Sequence, residues 1–268
     1  MIDLVEMCKR IRCHVLTMSF VAGAPHVASA LSCVEILVLL YFRVARLYPD
    51  QPDAPERDRV ILSKGHASAT LYACLAERGF FPVARLAEYA QDNSAMAEHP
   101  FRAALPGVEV TSGSLGHGLG LGIGMALVAK MDRADIRIFI VLSDGECNEG
   151  AVWEAALWAP AHHLDNVCAI IDFNQFQATG RSTEITMLNP LADKWRAFGW
   201  DVFEAEGHSL PQLTAALEAL STGKPRLVVA HTVKGRGVSF MENDLEWHYR
   251  PPNKDDWQRA LAEVEAGL

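Results

Sequence analysis

Apolar residues recur at intervals of three and four positions in two segments near the start of the chain, residues 3–20 and 31–46. This period is typical of helices that bury one face. Ser29 and Ser32 stand at the start of the second segment and are candidate N-caps, because a serine hydroxyl can accept hydrogen bonds from the first free amides of a helix. The pattern predicts two helices ahead of the first strand.

Short runs rich in Val, Ile and Leu follow, and each ends at a polar or glycine-containing turn. They span residues 59–63, 136–142, 167–172 and 227–231. Helical patterns alternate with them at 66–79, near 148–162 and near 190–198. Nearly continuous apolar strands alternating with helices indicate an α/β fold, in which a mostly parallel sheet carries helices on both faces. No linker or repeat divides the sequence, so residues 1–268 are predicted to form one domain.

Composition narrows the classes of partner. Half of the 268 residues are hydrophobic and the formal net charge is −9. A non-specific nucleic-acid binder needs an excess of Lys and Arg to neutralise phosphates, so we expect no nucleic-acid partner. The most apolar windows, 36–42 and 119–129, are far shorter than the ~20 residues that span a bilayer, so we expect no membrane partner either.

The cysteines and the first residues bear on the compartment. The six cysteines show no CxxC pair, and most lie within apolar runs. The first fifteen residues lack the basic end and the continuous apolar stretch of a signal peptide. We therefore expect reduced thiols and a cytoplasmic location.

Oxygen-bearing side chains follow two consecutive predicted strands. Asp144 and Gly145 come after the strand 136–142, and Asn174 and Phe176 come after the strand 167–172. If these strands are neighbours, the Asp144 carboxylate, the Asn174 amide oxygen and the Phe176 carbonyl would meet. These are hard ligands suited to Mg²⁺ or Ca²⁺, with a diphosphate completing the shell. An Asp-Gly pair after a strand is ordinarily only a turn, so the metal site depends on this pairing.

The phosphate side of this site follows from the same turn. Gly145 would let the backbone approach a diphosphate closely, and the positive end of a helix beginning near Asn148 would point toward it. The sequence therefore predicts a local anion site at one end of the sheet.

A second glycine cluster spans residues 113–124 and formally matches GxGxxG. No strong strand precedes it and no suitably placed acidic residue follows, so we expect no NAD site there. Residues 120–124 are expected to let a helix pack closely against a neighbour. Residues 113–116 remain available to a ligand.

Five histidines lie in loop-like contexts near predicted strand ends: His26, His66, His99, His117 and His248. A single histidine of this kind is more often structural than catalytic. Five together suggest a polar pocket whose imidazoles donate to phosphate or sugar oxygens, or move protons near neutral pH. No function is assigned to the histidines His14, His162, His163 and His208.

Seven segments, in order along nearly the whole chain, together closely resemble the N-terminal half of transketolases. They are LSKGHAS (62–68), HPF (99–101), LPGVEVTSGSLGHG (105–118), SDGECNEGAVWEA (143–155), DFNQFQ (172–177), KGRGVSFMEN (234–243) and WH (247–248). The length is similar to that of the N-terminal subunit of a split transketolase, in which a second chain supplies the remaining domains.

The resemblance implies a fold that binds thiamine diphosphate and Mg²⁺. In the family pattern Asp144, Asn174 and the Phe176 carbonyl match metal ligands, and Gly145 lies beside the phosphate. His66 and His248 match histidines that contact the diphosphate.

Other positions match the substrate and the partner side of the family site. His26 and His99 match histidines that line the substrate channel, and Gly113 and Leu115 fall in the loop that passes the aminopyrimidine. Glu149 matches an acidic residue at the subunit junction, where it couples to the partner's activating glutamate.

The resemblance further implies a partner and a reaction. The activating glutamate belongs to the other half of the family pattern, so a C-terminal transketolase subunit is expected as an obligatory partner in an α2β2 heterotetramer. The reaction would be transfer of a two-carbon ketol unit from a sugar phosphate to an acceptor, catalysed by a transferase that is active only with its partner.

Two alternatives stay open, and departures from the family pattern motivate the first of them. Ser143 replaces the usual Gly, residues 27–28 replace Pro-Gly after the channel histidine, and residues 178–179 replace Ile-Asp after the metal loop. These changes affect the substrate channel more than the cofactor site. One alternative hands the two-carbon unit to a lipoyl or carrier-protein thiol in a specialised biosynthetic pathway, and the other is a regulatory subunit that binds the cofactor without catalysis.

Overall fold

A parallel five-stranded sheet forms the centre of the computed structural model, which describes residues 2–220 and 222–267. The strands are β1 (Arg59–Leu62), β2 (Ile138–Ser143), β3 (Val167–Phe173), β4 (Asp201–Glu206) and β5 (Arg226–His231). They are ordered β1-β2-β3-β5-β4, and every neighbouring pair is parallel. The predicted parallel α/β fold is confirmed.

Helices cover both faces of the sheet, as predicted. They are α1 (Leu4–Ala22), α2 (Val27–Ser32), α3 (Val34–Leu39), α4 (Ser68–Arg78), α5 (His117–Met131), α6 (Gly150–Ala161), α7 (Ser182–Ile185), α8 (Leu191–Ala197), α9 (Leu210–Leu217) and α10 (Lys254–Ala266). Short 3₁₀ turns span Gly65–Ala67, Val83–Glu88, Gly145–Asn148 and Leu245–His248.

Alternate residues of each strand belong to two different apolar cores. In β2, Phe139 and Val141 pack in a core shared with α1, α3, α4 and α10. Ile138 and Ile140 pack in a second core shared with α5, α6 and α8. Both faces of a parallel strand are buried in this arrangement, which explains why the strand sequences are continuous apolar runs rather than alternating ones.

The predicted helix over residues 31–46 differs from the structure. It is divided into α2 and α3, with a π-helical turn at Leu40–Val44, and helical structure already begins at Val27. Ser29 and Ser32 lie buried inside α2, so their assignment as N-caps is wrong. The Ser32 hydroxyl instead contacts Asp172 and Asn174, as described below.

The edge strand β4 and the helices α9 and α10 were not predicted from the sequence. β4 is half-exposed, and Glu204 and Glu206 interrupt its apolar residues, so it lacks the continuous apolar run of the central strands. α10 begins with a clear signal, because Asn253 and Asp256 form a reciprocal capping box.

Two expectations from composition can be compared with the fold. Among residues 2–220 and 222–267, no helix combines the length and the apolar character needed to cross a membrane. The cysteines are free thiols, and those other than Cys13 are buried.

Candidate active site

The carboxyl ends of four strands meet at one edge of the sheet and carry the predicted site. His66 follows β1, Asp144 follows β2, Asn174 follows β3 and Lys234 follows β5. Strands β2 and β3 are paired with Ser143 opposite Asp172, and the Asp144 amide donates to the Asp172 carbonyl at 3.3 Å. The neighbouring strands on which the metal prediction depended are therefore present.

Asp144 is a buried carboxylate with one unsatisfied oxygen. Its Oδ2 accepts a hydrogen bond from the Ser182 hydroxyl at 2.7 Å, whereas its Oδ1 is buried without a hydrogen-bond partner. Burial raises the pKa of this carboxyl to about 6, and the nearby Asp172 charge adds to the effect. A buried acceptor without a partner is costly, so this geometry favours occupation of the adjacent space by a cation or a donor.

Asn174 and Phe176 lie in a tight turn directly after β3. The Asn174 Oδ1 accepts from the Phe176 amide at 3.0 Å, and Gln175 between them has a left-handed backbone with φ +67°. The turn is closed by a bridge between Phe176 and Arg181, whose guanidinium lies 4.7 Å from the Phe176 ring centre. This short closed turn fixes the positions of the Asn174 amide and the Phe176 backbone.

The helix that follows the turn after β2 begins two residues later than predicted. Gly145 lies in the 3₁₀ turn Gly145–Asn148, and α6 begins at Gly150 rather than near Asn148. A Cβ atom on Gly145 would lie 2.9 Å from Cγ of Gln177, so the backbone and this side chain are in close contact. The Gln177 Nε2 is a buried donor without a partner. Gln177 was not predicted from the sequence.

Four of the five loop histidines form one cluster. The ring centre of His26 lies 5.0 Å from that of His248, 5.3 Å from His66 and 6.2 Å from His99. His26 has φ +68° at the N-terminus of α2, its amide donates to the His248 carbonyl, and its Nδ1 is buried without a partner. An unfavourable backbone conformation in a non-glycine residue is often found at functional sites.

Three of the clustered imidazoles, those of His26, His66 and His248, are held in the neutral form. Burial lowers the pKa of His26 to about 4 and that of His248 to about 3, and it lowers the pKa of His66 well below its usual value. The positive charge of Lys64 contributes in each case. Neutral imidazoles can both donate and accept, which suits contacts with phosphate or hydroxyl oxygens.

Lys234 is a cation of this cluster for which sequence reasoning gave no role, although its segment carried the family resemblance. Its Nζ donates to Nδ1 of His248 at 2.7 Å and lies 5.7 Å from the Phe176 ring centre. Burial, reinforced by the Lys64 charge, lowers the pKa of Lys234 to about 8. Lys64, which is fully buried just after β1, is a second buried lysine at this end of the sheet.

His117 does not belong to this cluster, so its inclusion in the predicted pocket is wrong. It is exposed at the start of α5, where its ring contacts the Ser114 hydroxyl and the Leu115 carbonyl. Of the histidines left without a role, His208 proves to be embedded: it contacts Glu35 at 2.9 Å and accepts from the Val233 amide.

The loop containing Gly113 and Leu115 packs against the histidine cluster. A Cβ on Gly113, which has φ +126°, would lie 2.7 Å from the His99 ring, and the loop backbone touches Gly65. The buried carboxylate of Glu146 accepts from the Gly116 amide at 2.8 Å and from the Ser63 hydroxyl, which anchors the loop to β1. Leu115 is half-buried.

Glu149 is the N-cap residue of α6 and is exposed in this chain. A Cβ on Gly116 would lie 2.7 Å from Cβ of Glu149, so Glu149 adjoins the loop that contains Leu115. An exposed carboxylate beside the site is accessible to a second chain.

The glycines of α5 differ from one another in their packing. A Cβ on Gly122 would lie 2.6 Å from the Ile140 side chain, so the predicted close packing exists there. Gly120 and Gly124 have no atom within 4 Å of such a Cβ, and the prediction is wrong for them. They line an apolar groove of about 560 Å³ between α5 and α6, together with Leu121, Ala155 and Trp158.

The donor set fits a hard cation bound together with a phosphorylated ligand. Among the described residues, no group of three or more His, Cys, Asp and Glu side chains could hold a metal. The Asp144 Oδ1, the Asn174 amide and the Phe176 backbone offer oxygens only, too few for a complete shell without ligand oxygens and water. The buried donor Gln177 Nε2 and the cation Lys234 are suited to the anionic part of such a ligand.

Comparison with known proteins identifies the family of this chain. Residues 5–264 match the family described as "Transketolase, thiamine diphosphate binding domain". The chain belongs to the transketolase family. An apulose-4-phosphate transketolase subunit from Phocaeicola vulgatus is 40% identical over 245 residues, which cover 91% of this chain and 87% of that protein. The 6-deoxy-6-sulfo-D-fructose transketolase subunit SqwG from Clostridium sp. (strain MSTE9) is also 40% identical, over 91% of this chain and 89% of that protein.

Full-length transketolases are longer than this family member. Human transketolase is 35% identical over 97% of this chain, but the matched part is 42% of its own length. The transketolase structure from Leishmania mexicana superposes with a TM-score of 0.91 at 27% identity, covering 99% of this chain and 42% of that one. The predicted family, the transferase class and the thiamine diphosphate-binding fold are confirmed.

Proposed function

We propose that this chain is the diphosphate-holding subunit of a two-chain transketolase that moves a two-carbon ketol unit from a ketose phosphate to an aldehyde acceptor. The observation that carries the proposal is the unpartnered Asp144 Oδ1. It lies at the strand ends where Asn174, Lys234 and the histidine cluster meet, in a chain whose relatives are named transketolase subunits.

The cofactor set of the proposal is thiamine diphosphate with Mg²⁺, or Ca²⁺ in its place. Asp144, Asn174 and the Phe176 carbonyl would hold the cation, and Gly145 would let the backbone approach the diphosphate. When bound, thiamine diphosphate supplies the carbon nucleophile of the reaction. Gly113 and Leu115 would lie against its aminopyrimidine.

The basic residues would anchor the diphosphate from the other side. Lys234 contributes a positive charge, and neutral His66 and His248 can each donate one hydrogen bond to a phosphate oxygen. The Gln177 Nε2 has no partner within the chain and adjoins Gly145, so it is a further donor for the same anion.

His26 and His99 would act on the substrate. His26 has an unpartnered buried Nδ1 and a lowered pKa, so at neutral pH it can accept a proton from a sugar hydroxyl or hold that hydroxyl in place. Its Nε2 lies 3.7 Å from the carboxylate of Glu98. His99 packs on Gly113 and would face the same channel.

The partner would be a C-terminal transketolase subunit that carries the activating glutamate, in an α2β2 heterotetramer. Glu149, which is exposed in this chain, would couple to that glutamate. The groove between α5 and α6 and the neighbouring exposed side chains of Leu121 and Leu157 offer an apolar surface that a partner would cover. Residues 1–268 would form one domain, and the free thiols support a cytoplasmic location.

Reconstitution tests the proposal. The chain is mixed with the product of a neighbouring gene for a C-terminal transketolase domain, and transfer from xylulose 5-phosphate is assayed with thiamine diphosphate and Mg²⁺. Each chain alone and a mixture containing the Asp144→Ala variant are the controls. We expect activity only in the unmodified mixture.

The other outcomes distinguish the alternatives. Metal-dependent cofactor binding without transfer to any aldehyde would contradict the proposed acceptor and favour a carrier thiol. Binding without turnover on any donor would favour the regulatory subunit. No cofactor binding in the mixture would refute the proposed function.

A further inference from the structure

Asp172 is the centre of a buried hydrogen-bond cluster behind the proposed metal site. It is the penultimate residue of β3 and is fully buried. Its Oδ2 accepts from the Lys64 ammonium at 2.5 Å and from the Ser32 hydroxyl at 2.5 Å, and its Oδ1 accepts from the Thr232 hydroxyl. The Asn174 Nδ2 completes the cluster, at 3.4 Å from the Asp172 Oδ2 and 3.3 Å from the Ser32 Oγ.

The donors come from the segments that build the site. Ser32 is the last residue of α2, which begins directly after His26, and Lys64 precedes His66 by two residues. Thr232 precedes Lys234 by two residues and follows β5. Asp172 thus connects three segments that carry cofactor or substrate residues to the strand that carries Asn174.

The relation between Asp172 and Asn174 has a chemical consequence. Residues two apart on an extended strand point to the same side, which brings the carboxylate near the amide of Asn174. An ionised carboxylate offers only acceptor oxygens, so the Asn174 side chain meets Asp172 through its donor, the Nδ2. The same Asp172 oxygen also accepts from Lys64 and Ser32. The Asn174 Oδ1 is then directed away from Asp172, toward the Phe176 amide and the metal side of the turn.

We propose that Asp172 is a positioning residue that fixes Asn174 with its amide oxygen toward the metal and holds the segments of His66 and Lys234 around it. Both of its oxygens are occupied by Lys64, Ser32 and Thr232, so Asp172 acts through these neighbours and contacts neither metal nor cofactor. This inference depends on the proposed function, because it assumes that Asn174 binds a cation.

The chain contains a matched control for the test. Asp58 is as fully buried as Asp172 and directly precedes β1. It therefore lies at the amino ends of the strands, whereas the site lies at their carboxyl ends. It accepts from the backbone amides of Arg46 and Arg137 at 2.9 Å each and from both of their guanidinium groups. Asp58→Asn therefore disrupts a comparable group of buried carboxylate hydrogen bonds, and it does so away from the site.

The experiment uses the two-chain complex and measures the Mg²⁺ concentration that half-saturates thiamine diphosphate binding, together with the urea midpoint of unfolding of this chain. For Asp172→Asn we expect at least a tenfold increase in the half-saturating Mg²⁺ concentration. Both Asp172→Asn and Asp58→Asn are expected to lower the urea midpoint, by similar amounts. Asp58→Asn is expected to change the half-saturating Mg²⁺ concentration by less than twofold.

A milder variant keeps the test decisive if Asp172→Asn fails to fold. Ser32→Ala removes one donor to Asp172 and one acceptor for Asn174 while leaving the Lys64–Asp172 pair in place. We expect a threefold to fivefold increase in the Mg²⁺ requirement. An unchanged requirement in Ser32→Ala and Asp172→Asn, or an equal increase in Asp58→Asn, would overturn the positioning role alone. Absence of cofactor binding by the unmodified complex would overturn the proposed function with it.

Discussion

The ammonium of Lys234 donates a 2.7 Å hydrogen bond to Nδ1 of His248, and both groups are buried at the end of the sheet. The imidazole is neutral and the lysine, whose pKa is lowered to about 8, retains its charge at neutral pH. Because the Lys234 ammonium loses its proton near pH 8, anion binding beside this pair should depend on pH.

The affinity for thiamine diphosphate should therefore fall in alkaline solution. Bound diphosphate stabilises protonated Lys234, so affinity should be nearly constant below pH 8 and decrease up to tenfold per pH unit above it. Isothermal titration calorimetry between pH 7 and 9.5 measures this decrease. Lys234→Met should bind at least tenfold more weakly at pH 7 and lack the decrease, and its profile corrects for titration of the cofactor itself. Identical profiles for both proteins would exclude Lys234 as the titrating group.

The proposed metal ligand Asp144 is expected to be indispensable for cofactor binding. Asp144→Ala removes the buried oxygen that would contact the cation, so Mg²⁺-dependent binding of thiamine diphosphate should be lost. Ser182→Ala removes only the hydroxyl that holds the Asp144 Oδ2, a loss of roughly 1–2 kcal/mol or about fivefold to thirtyfold in affinity. Calorimetry with and without Mg²⁺ checks both, and retained affinity in Asp144→Ala would refute the metal assignment.

The buried histidines should make the cofactor-free chain sensitive to acid. A histidine whose pKa is lowered in the folded state stabilises the fold above its unfolded pKa of about 6.5, and this stability is lost as the pH falls through that value toward the folded pKa. For His26, with a folded pKa of about 4, linkage corresponds to about 2 kcal/mol lost between pH 7 and pH 5.

His26→Asn removes this contribution and tolerates the left-handed backbone, because asparagine adopts positive φ more readily than most residues. Urea unfolding at pH 7 and pH 5 should show about 2 kcal/mol less destabilisation in this variant than in the unmodified chain. His163→Asn is the control, since His163 also has a positive φ but is exposed. An equal pH response in all three proteins would contradict the prediction.

Turnover should depend on His99 without a matching loss of cofactor affinity. His99→Ala in the reconstituted complex is expected to lower kcat/KM by roughly 100-fold, the usual contribution of a residue that transfers or positions a proton. The Kd for thiamine diphosphate should change by less than threefold, because His99 is proposed to line the substrate channel and not to hold the cation or the diphosphate. Unchanged turnover would remove His99 from the substrate channel.

Two glycines of α5 should respond oppositely to the same substitution. Gly122→Ala places a methyl group 2.6 Å from Ile140 and should destabilise the chain by about 1–3 kcal/mol. Gly124→Ala enters open space and should stabilise it by about 0.5–1 kcal/mol through helix propensity. Urea unfolding of the chain alone measures both, and effects of the same sign would show that the packing of α5 is described incorrectly.

The sequence alone identified the class of fold, four of the five strands and candidate residues at the carboxyl ends of three of them, β1, β2 and β3. These were predictable because buried parallel strands are continuous apolar runs and because loops at strand ends carry the ligands in such sheets. The edge strand β4 could not be identified in this way, since half-exposed positions allow Glu204 and Glu206 to interrupt its pattern.

The tertiary structure decided which of the candidate residues act together. Sequence spacing assigned equal weight to five loop histidines. Only the packing shows that His117 lies outside the cluster, whereas the rings of His66, His99 and His248 each lie close to that of His26. It also brought Lys234, Gln177 and Asp172 to the same end of the sheet. Lys234 and Asp172 contact partners 14 and 140 positions away, and the Gln177 Nε2 is a buried donor without a partner. Local sequence encodes the propensity of a segment, whereas burial, charge pairing and the pKa of a group depend on distant segments brought together by the sheet.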